Sequence, residues 1–154
     1  MQIVIAAVGR AKHKPEAELI AHYLKQTRWD ITIKEIPDAP SNLAADARRS
    51  REAEAIQKLL GTGSRLLAMD STGTSLTSPA FAALIQQAQQ AATKQLVIAI
   101  GGQDGLAPTL LTQAQHIVAF GAATWPHQLL RAMLVEQLYR AYTITIGHPY
   151  HLGH

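Results

Sequence analysis

Cysteine is absent from the 154 residues of this chain, which excludes disulfide bonds and thiolate metal sites. No apolar run approaches the roughly 18 residues that a membrane-spanning helix needs. The apolar start Met1–Val8 lacks a charged leader and continues directly into Gly9-Arg10, so it is not expected to be a signal peptide. These absences predict a soluble, cytoplasmic protein without a membrane segment, folded as one domain over residues 1–154.

The chain also lacks the short motifs that mark several enzyme classes. It contains no G-x-x-x-x-G-K-[ST] phosphate loop, no G-x-S-x-G nucleophile elbow and no H-E-x-x-H zinc motif. The glycines at positions 101, 102 and 105 do not have the G-x-G-x-x-G spacing of dinucleotide-binding proteins. These absences argue against phosphate-loop, dinucleotide-dependent and serine-hydrolase chemistry.

Charge of either sign is sparse, and the positive excess is small but clustered. Lys and Arg exceed Asp and Glu by three residues, and the sequence pI is about 9.4. One basic cluster, Arg10, Lys12 and Lys14, follows the first apolar run, and a second, Arg48, Arg49 and Arg51, lies on an expected helix. A cluster of this kind attracts a polyanion such as nucleic acid, or it is simply a solvated helix face.

Apolar periodicity alternates between the strand and the helix pattern along the whole chain. Such alternation predicts an α/β fold with a mostly parallel sheet and helices on both faces. The expected strands are Gln2–Val8, Ile31–Ile36, Leu66–Met69, Leu96–Ile100 and Ile117–Phe120. The expected helices are Pro15–Thr27, Ala44–Leu60, Ala80–Ala92 capped by Ser78-Pro79, Thr109–Gln115 and Pro126–Tyr142, with loops at Pro37–Asn42 and Asp70–Ser75.

Ligands of parallel sheets bind beyond the carboxyl ends of the strands, so we expect chemistry in the loops after Met69, Ile100 and Phe120. The segment Ile100–Gly105 holds three glycines, which let a ligand approach the backbone or simply form a tight turn. The segment Thr124–Gln128 opens the last helix; taken alone, it indicates a helix cap with Trp125 packed into the core.

The last helix carries an apolar stripe that predicts a core or subunit-interface face, and Glu136 and Arg140 are spaced to pair on it. The tail that follows, His148–His151, includes a tyrosine that favours burial over the fraying usual for a chain end. His148, His151 and His154 form a conceivable metal site, but no carboxylate lies near them in the sequence, so no metal is expected.

Together these segments resemble the RlmH family of SPOUT methyltransferases, and the order and spacing agree over the last third of the chain. The N-terminal half resembles the family only in length and in the order of its elements. The segments that carry the resemblance are Ile100-Gly101-Gly102 through Gly105-Leu106, Thr124-Trp125-Pro126-His127-Gln128, Arg131, Glu136-Gln137, Tyr139-Arg140-Ala141 and His148-Pro149-Tyr150-His151.

The resemblance implies a SPOUT fold with a C-terminal trefoil knot, a feature that physical reasoning from sequence would not propose because knots are rare. It also implies a homodimer that binds S-adenosylmethionine and uses no metal. Mapped onto this chain, the family's cofactor-binding positions are Met69, Gly101, Gly102, Gly105, Gly121, Ala122, Ala123, Thr124, Trp125 and Pro126.

The substrate that the resemblance implies is N3 of a pseudouridine in 23S rRNA of the assembled ribosome. Arg140, Tyr150 and His151 are then the expected catalytic residues, with His127 as a further candidate. Where family tails place a basic residue after the Tyr-His pair, this chain has Leu152, which puts a phosphate contact from the tail in doubt. The alternatives are a SPOUT enzyme acting on tRNA or on a ribose hydroxyl, a noncatalytic ribosome-binding protein, and a generic nucleotide-binding domain.

Overall fold

The computed structural model describes residues 1–11 and 14–153, which form a five-stranded sheet flanked by five helices. Lys12, His13 and His154 lie outside the described residues. The strands are β1 Gln2–Val8, β2 Ile31–Ile36, β3 Ser64–Ser75, β4 Gln95–Ile100 and β5 His116–Ala119. The helices are α1 Pro15–Leu24, α2 Ala45–Gln57, α3 Ser78–Gln90, α4 Pro108–Gln113 and α5 His127–Thr145, followed by a short 3₁₀ helix at Pro149–Gly153.

The sheet has the strand order β2-β1-β4-β3-β5, and every neighbouring pair is parallel. The expected α/β fold with helices on both faces is therefore confirmed. Alternate side chains of each strand face opposite layers. Ile5 and Ile98 pack towards α1, α3 and α5, whereas Val4 and Val97 pack towards α2 and α4. All five carboxyl ends consequently point to one rim of the sheet.

The strand β3 extends beyond its predicted end, and the expectation that Asp70–Ser75 forms a loop was wrong. After Met69 pairs with Val118, the register shifts and Thr74 pairs with the same residue. A Cβ on Gly73 would lie 2.6 Å from the carbonyl carbon of Ile117, so only glycine permits this close approach. Backbone pairing with β5, rather than side-chain burial, makes this polar segment a strand.

Helix termini also differ from the sequence-based predictions. Thr77 rather than Ser78 caps α3, because the Thr77 hydroxyl accepts a hydrogen bond from the Ala80 amide. The last helix begins at His127, with Pro126 in the capping position, and continues to Thr145 instead of ending near Tyr142. Within the described residues, no helix has both the length and the apolar content needed to cross a bilayer.

Candidate methyl-donor cavity and C-terminal cluster

A cavity of about 490 Å³ lies beyond the carboxyl ends of β4 and β5 and beside Met69–Ser71 in the middle of β3, after the positions where the sequence predicts chemistry. Its volume falls in the range of small-molecule sites, roughly 300–1,000 Å³. Nine of the ten predicted cofactor-binding residues line it, whereas Ala122 does not. The nine are Met69, Gly101, Gly102, Gly105, Gly121, Ala123, Thr124, Trp125 and Pro126.

The floor of the cavity is a glycine turn that requires glycine at Gly101 for lack of space and at Gly105 for its backbone conformation. The Gly105 amide donates to the Gly102 carbonyl over 3.1 Å, and Gly105 has φ +77, a conformation that favours glycine. A Cβ on Gly101 would lie 2.5 Å from the carbonyl carbon of Gly105. The turn is therefore closed backbone against backbone, and its glycines present main-chain groups to the cavity.

The outer wall is the segment between β5 and α5. Trp125 donates its indole N–H to the Phe120 carbonyl over 2.8 Å and remains 39% exposed while lining the cavity. The expectation that Trp125 packs into the core was therefore wrong, because its hydrogen bond to the Phe120 carbonyl holds the indole at the cavity wall. Gly121, with φ +84, lies in the bend that follows β5.

The electrostatic character of the lining indicates which ligands fit. Among the described residues that form it, Asp70 is the one carboxylate, His127 is the one imidazole, and there is no lysine or arginine. Such a wall suits a ligand with hydroxyls or a positive charge better than a phosphate ester, which proteins usually bind with basic side chains. The apolar side chains of Ile100, Val118 and Phe120 complete a surface that a flat heterocycle can contact.

The amino end of α5 is fixed to the end of β1 by Arg131, whose role the sequence did not reveal. Arg131 is 1% exposed and donates to the carbonyls of Val8 and Gly9 over 3.3 and 3.0 Å. It also pairs with Glu35 at 3.0 Å, and the same carboxylate oxygen accepts the Ala11 amide. Burial lowers the pKa of the guanidinium, and the charge of Glu35 opposes that shift.

The predicted catalytic residues Arg140 and Tyr150 meet at the other end of α5, around Glu136. One Glu136 oxygen accepts from Arg140 Nε and Nη2 over 3.0 and 2.6 Å and from the Tyr150 hydroxyl over 3.0 Å. The guanidinium carbon of Arg140 lies 4.8 Å from the Tyr150 ring centre. The Tyr150 ring packs on Tyr139, so the tail is held on the helix, as its tyrosine predicted.

The C-terminal cluster, formed by Glu136, Arg140 and Tyr150, lies far from the cavity along α5. His127 lines the cavity, whereas Arg140 is thirteen positions further along the same helix. At 1.5 Å per residue this corresponds to about 20 Å along the axis. The structure thus brings Arg140 and Tyr150 together but does not bring them to the cavity of their own chain.

His151 follows Tyr150 in the 3₁₀ helix and is half-buried. Its Nδ1 is buried without a hydrogen-bond partner among the described residues. Leu152, where family tails carry a basic residue, is 76% exposed. Among residues 1–11 and 14–153, no group of three or more His, Asp or Glu side chains is arranged to hold a metal ion, and His154 lies outside that range.

The titration of Tyr150 provides a first prediction. Burial, together with hydrogen bonds to Tyr23 and Glu136, raises the pKa of the Tyr150 phenol well above its ordinary value. The folded state therefore holds this proton more tightly than the unfolded chain. Its stabilising contribution is complete below about pH 10 and is lost as pH rises towards the folded pKa.

We expect the ultraviolet titration of Tyr150→Phe to lack the tyrosine ionisation that occurs at the highest pH in the wild type. It should also flatten the fall in the free energy of unfolding above about pH 10. Tyr142→Phe is the matched control, since it removes a phenol from α5 and leaves the hydrogen bond between Tyr150 and Glu136 in place. If Tyr150→Phe retained this high-pH ionisation, the ionisation could not belong to Tyr150.

Comparison with known proteins agrees with this architecture. A profile of the family described as "Predicted SPOUT methyltransferase" matches residues 1–151. A protein named Ribosomal RNA large subunit methyltransferase H from Nitrobacter hamburgensis is 43% identical over 162 aligned residues, covering 99% of this chain and 100% of that protein. Proteins with the same name from Brucella anthropi and Rhodopseudomonas palustris are 40% and 41% identical, each covering 98% of this chain and 99% of theirs. The chain therefore belongs to the SPOUT methyltransferases and, among them, to the family of ribosomal RNA large subunit methyltransferases H.

Proposed function

We propose that this chain transfers a methyl group from S-adenosylmethionine to N3 of a pseudouridine in 23S rRNA of the assembled ribosome. The observation that carries the proposal is the cavity between Met69–Ser71 of β3 and the ends of β4 and β5, with its glycine floor and its lining free of lysine and arginine. The proposal includes a cytoplasmic location, because its substrate is the ribosome. The trefoil knot implied by the family is part of the same proposal.

The residues of the cavity fit the proposed cofactor. S-adenosylmethionine, when bound, supplies an electrophilic methyl group on a positively charged sulfur. The backbone of Gly101–Gly105 and Gly121–Pro126 would hold it, and Met69 and Phe120 would shield it from water. Asp70, whose Oδ1 accepts from Thr72, is the carboxylate available to a cationic or hydroxylated ligand there.

The chemistry left to the protein is the positioning of the base and the removal of its imide proton. A positioned nucleophile lowers the barrier by avoiding the entropy of encounter. Arg140, oriented by Glu136, would stabilise negative charge developing on a pyrimidine oxygen. His151 is the first candidate to accept the N3 proton, and the rim residue His127 is the second.

Arg140 and His151 reach a cavity only if a second copy supplies them, so the proposal includes a homodimer. An apolar groove of about 370 Å³ runs between α1 and α5, where Leu19 and Leu129 are 44% and 36% exposed. The groove shares Phe120 with the donor cavity and reaches Glu136 at the C-terminal cluster. An isologous dimer packed along this face would place each tail beside the other subunit's cavity.

A charge in the groove should therefore separate the subunits. We expect Leu129→Glu to shift the mass measured by light scattering from twice the chain mass of 16.7 kDa to that mass, because burying an unpaired carboxylate is unfavourable. Ala47→Glu, on the exposed surface of α2 at the other side of the sheet, is the control and should stay dimeric. A dimeric Leu129→Glu protein would place the interface elsewhere.

Two measurements test the function itself. Calorimetry should show S-adenosylmethionine binding, and methylation assays should compare whole ribosomes, separate subunits and free 23S RNA. We expect whole ribosomes to be the best substrate, because the chain is short and its specificity must come from the shape of the assembled particle. Mass spectrometry of the product should place the methyl group on N3 of a pseudouridine. Absence of binding, or a methyl group on a ribose hydroxyl or on tRNA, would overturn the proposal.

A further inference from the structure

The helix α2 holds the glycine turn of the donor cavity from outside through Arg48. Arg48 donates from Nε and Nη2 to the two carboxylate oxygens of Asp104 over 2.7 and 2.9 Å. Its Nη1 donates to the carbonyls of Ser41 and Leu43 in the connector before α2. Arg48 and Asp104 are 16% and 17% exposed, so the pair is mostly screened from water.

Two further residues of α2 reinforce this attachment. Arg49 donates from Nη1 to the Asp104 carbonyl over 3.4 Å and pairs with Asp46 on its own helix. Glu52, 7% exposed, accepts the amide of Ala39 over 3.1 Å. The connector at residues 37–44 is therefore fastened to α2 at several points.

The glycine turn has few internal interactions that hold its conformation. Glycine loses more backbone entropy on ordering than other residues, and the turn at residues 101–105 contains three. Its internal backbone bond is the one between Gly105 and Gly102. Asp104 connects the turn to α2, because both of its carboxylate oxygens accept hydrogen bonds from Arg48.

We propose that Arg48 is a positioning residue that holds the methyl-donor turn in its binding shape through Asp104. This inference rests on the proposed function, because it assumes that the turn binds S-adenosylmethionine. The ion pair acts from outside the cavity, since Arg48 is not among the residues that line it. The hydrogen bond from Arg48 also lowers the pKa of Asp104, in keeping with a pair that stays charged at neutral pH.

The competing interpretation is that the cluster Arg48, Arg49 and Arg51 binds RNA. In the structure Arg48 and Arg49 are already bonded within the chain, whereas Arg51 is exposed and makes no ion pair with the described residues. The two interpretations differ in which substrate is affected. A positioning role alters the affinity for the methyl donor, whereas an RNA contact alters the KM for ribosomes.

The test compares Arg48→Ala, Asp104→Ala, the double variant and the control Arg51→Ala. We expect Arg48→Ala and Asp104→Ala to weaken S-adenosylmethionine binding and to raise its KM by about threefold to tenfold, while the KM for ribosomes stays within about twofold. The double variant should be no weaker than either single variant, because both remove the same pair. Arg51→Ala should bind S-adenosylmethionine as the wild type does.

Hydrogen exchange of the protein without cofactor gives an independent readout. Amides of residues 102–106 should exchange faster in Arg48→Ala than in Arg51→Ala, whether or not a cofactor binds. Unchanged exchange there, unchanged S-adenosylmethionine affinity, or a rise in the ribosome KM alone would each overturn the positioning role. Failure of the wild type to bind S-adenosylmethionine would instead count against the proposed function, and the exchange data would still decide whether Arg48 holds the turn.

Discussion

Replacement of Gly101 by alanine is expected to abolish S-adenosylmethionine binding and with it methyl transfer. The new Cβ would lie 2.5 Å from the carbonyl carbon of Gly105 and 2.8 Å from the Leu106 nitrogen, and both are backbone atoms that no side-chain rotation can move away. The glycine turn must open, and the floor of the cavity is displaced. Overpacking of this kind costs about 1–3 kcal/mol, so we expect the sheet to remain folded.

The matched control is Gly61→Ala. A Cβ at Gly61 meets no atom within 4 Å, and its backbone is not left-handed. This variant should therefore bind S-adenosylmethionine and methylate ribosomes as the wild type does. Calorimetry on both variants, with circular dichroism to verify folding, makes the comparison. Wild-type affinity in Gly101→Ala would show that the turn is not the cofactor's floor.

Removal of the Arg131 side-chain charge is expected to cause the largest loss of stability. Arg131→Met retains most of the volume but leaves the carbonyls of Val8 and Gly9 without their donor. A buried carbonyl left unpaired costs about 1–3 kcal/mol, so we expect a total loss of roughly 3 kcal/mol. Glu35 limits the loss because it is 37% exposed and can be solvated.

For a chain of this size a loss of that magnitude lowers the melting temperature by roughly 6–12 °C. Arg131→Lys should recover only part of it, because an ammonium group cannot reach the two carbonyls and Glu35 in the same planar arrangement. Arg51→Met is the surface control and should melt within about 1–2 °C of the wild type. A melting temperature of Arg131→Met equal to that of the control would mean that Arg131 does not anchor α5.

Much of the fold could be predicted from the sequence because its signals are local. The strands β1 and β4 are continuous apolar runs, and such runs are typical of parallel strands buried on both faces. The small-residue turns after β4 and β5 were likewise visible as glycines at strand ends. The local pattern failed at Asp70–Ser75, because the backbone bonds that make it a strand come from β5, more than forty residues later.

The candidate site was predictable only in its separate parts. The cavity residues and the tail residues were each identified from short segments. The expected helix Pro126–Tyr142 already separates His127 from Arg140, but only the tertiary structure shows that the tail folds back onto α5. Arg131 carries no sequence signal of burial, since charged residues are mostly exposed and its partners lie in β2, at the end of β1 and directly after β1. The pair of Arg48 with Asp104 spans fifty-six positions, so helix periodicity shows only a basic surface.

Because Arg140 lies far from the cavity of its own chain, we propose a composite site, in which one subunit supplies the cavity and the other supplies the tail. A mixed dimer tests it most directly. Gly101→Ala and Arg140→Ala chains, carrying different tags, are co-expressed, and the mixed dimer is purified through both tags. If each site combines one subunit's cavity with the other subunit's tail, the mixed dimer contains one intact site and should show about half of wild-type methylation, although both parent dimers are inactive. If a subunit used its own tail, both sites would be damaged, and an inactive mixed dimer would contradict the composite site.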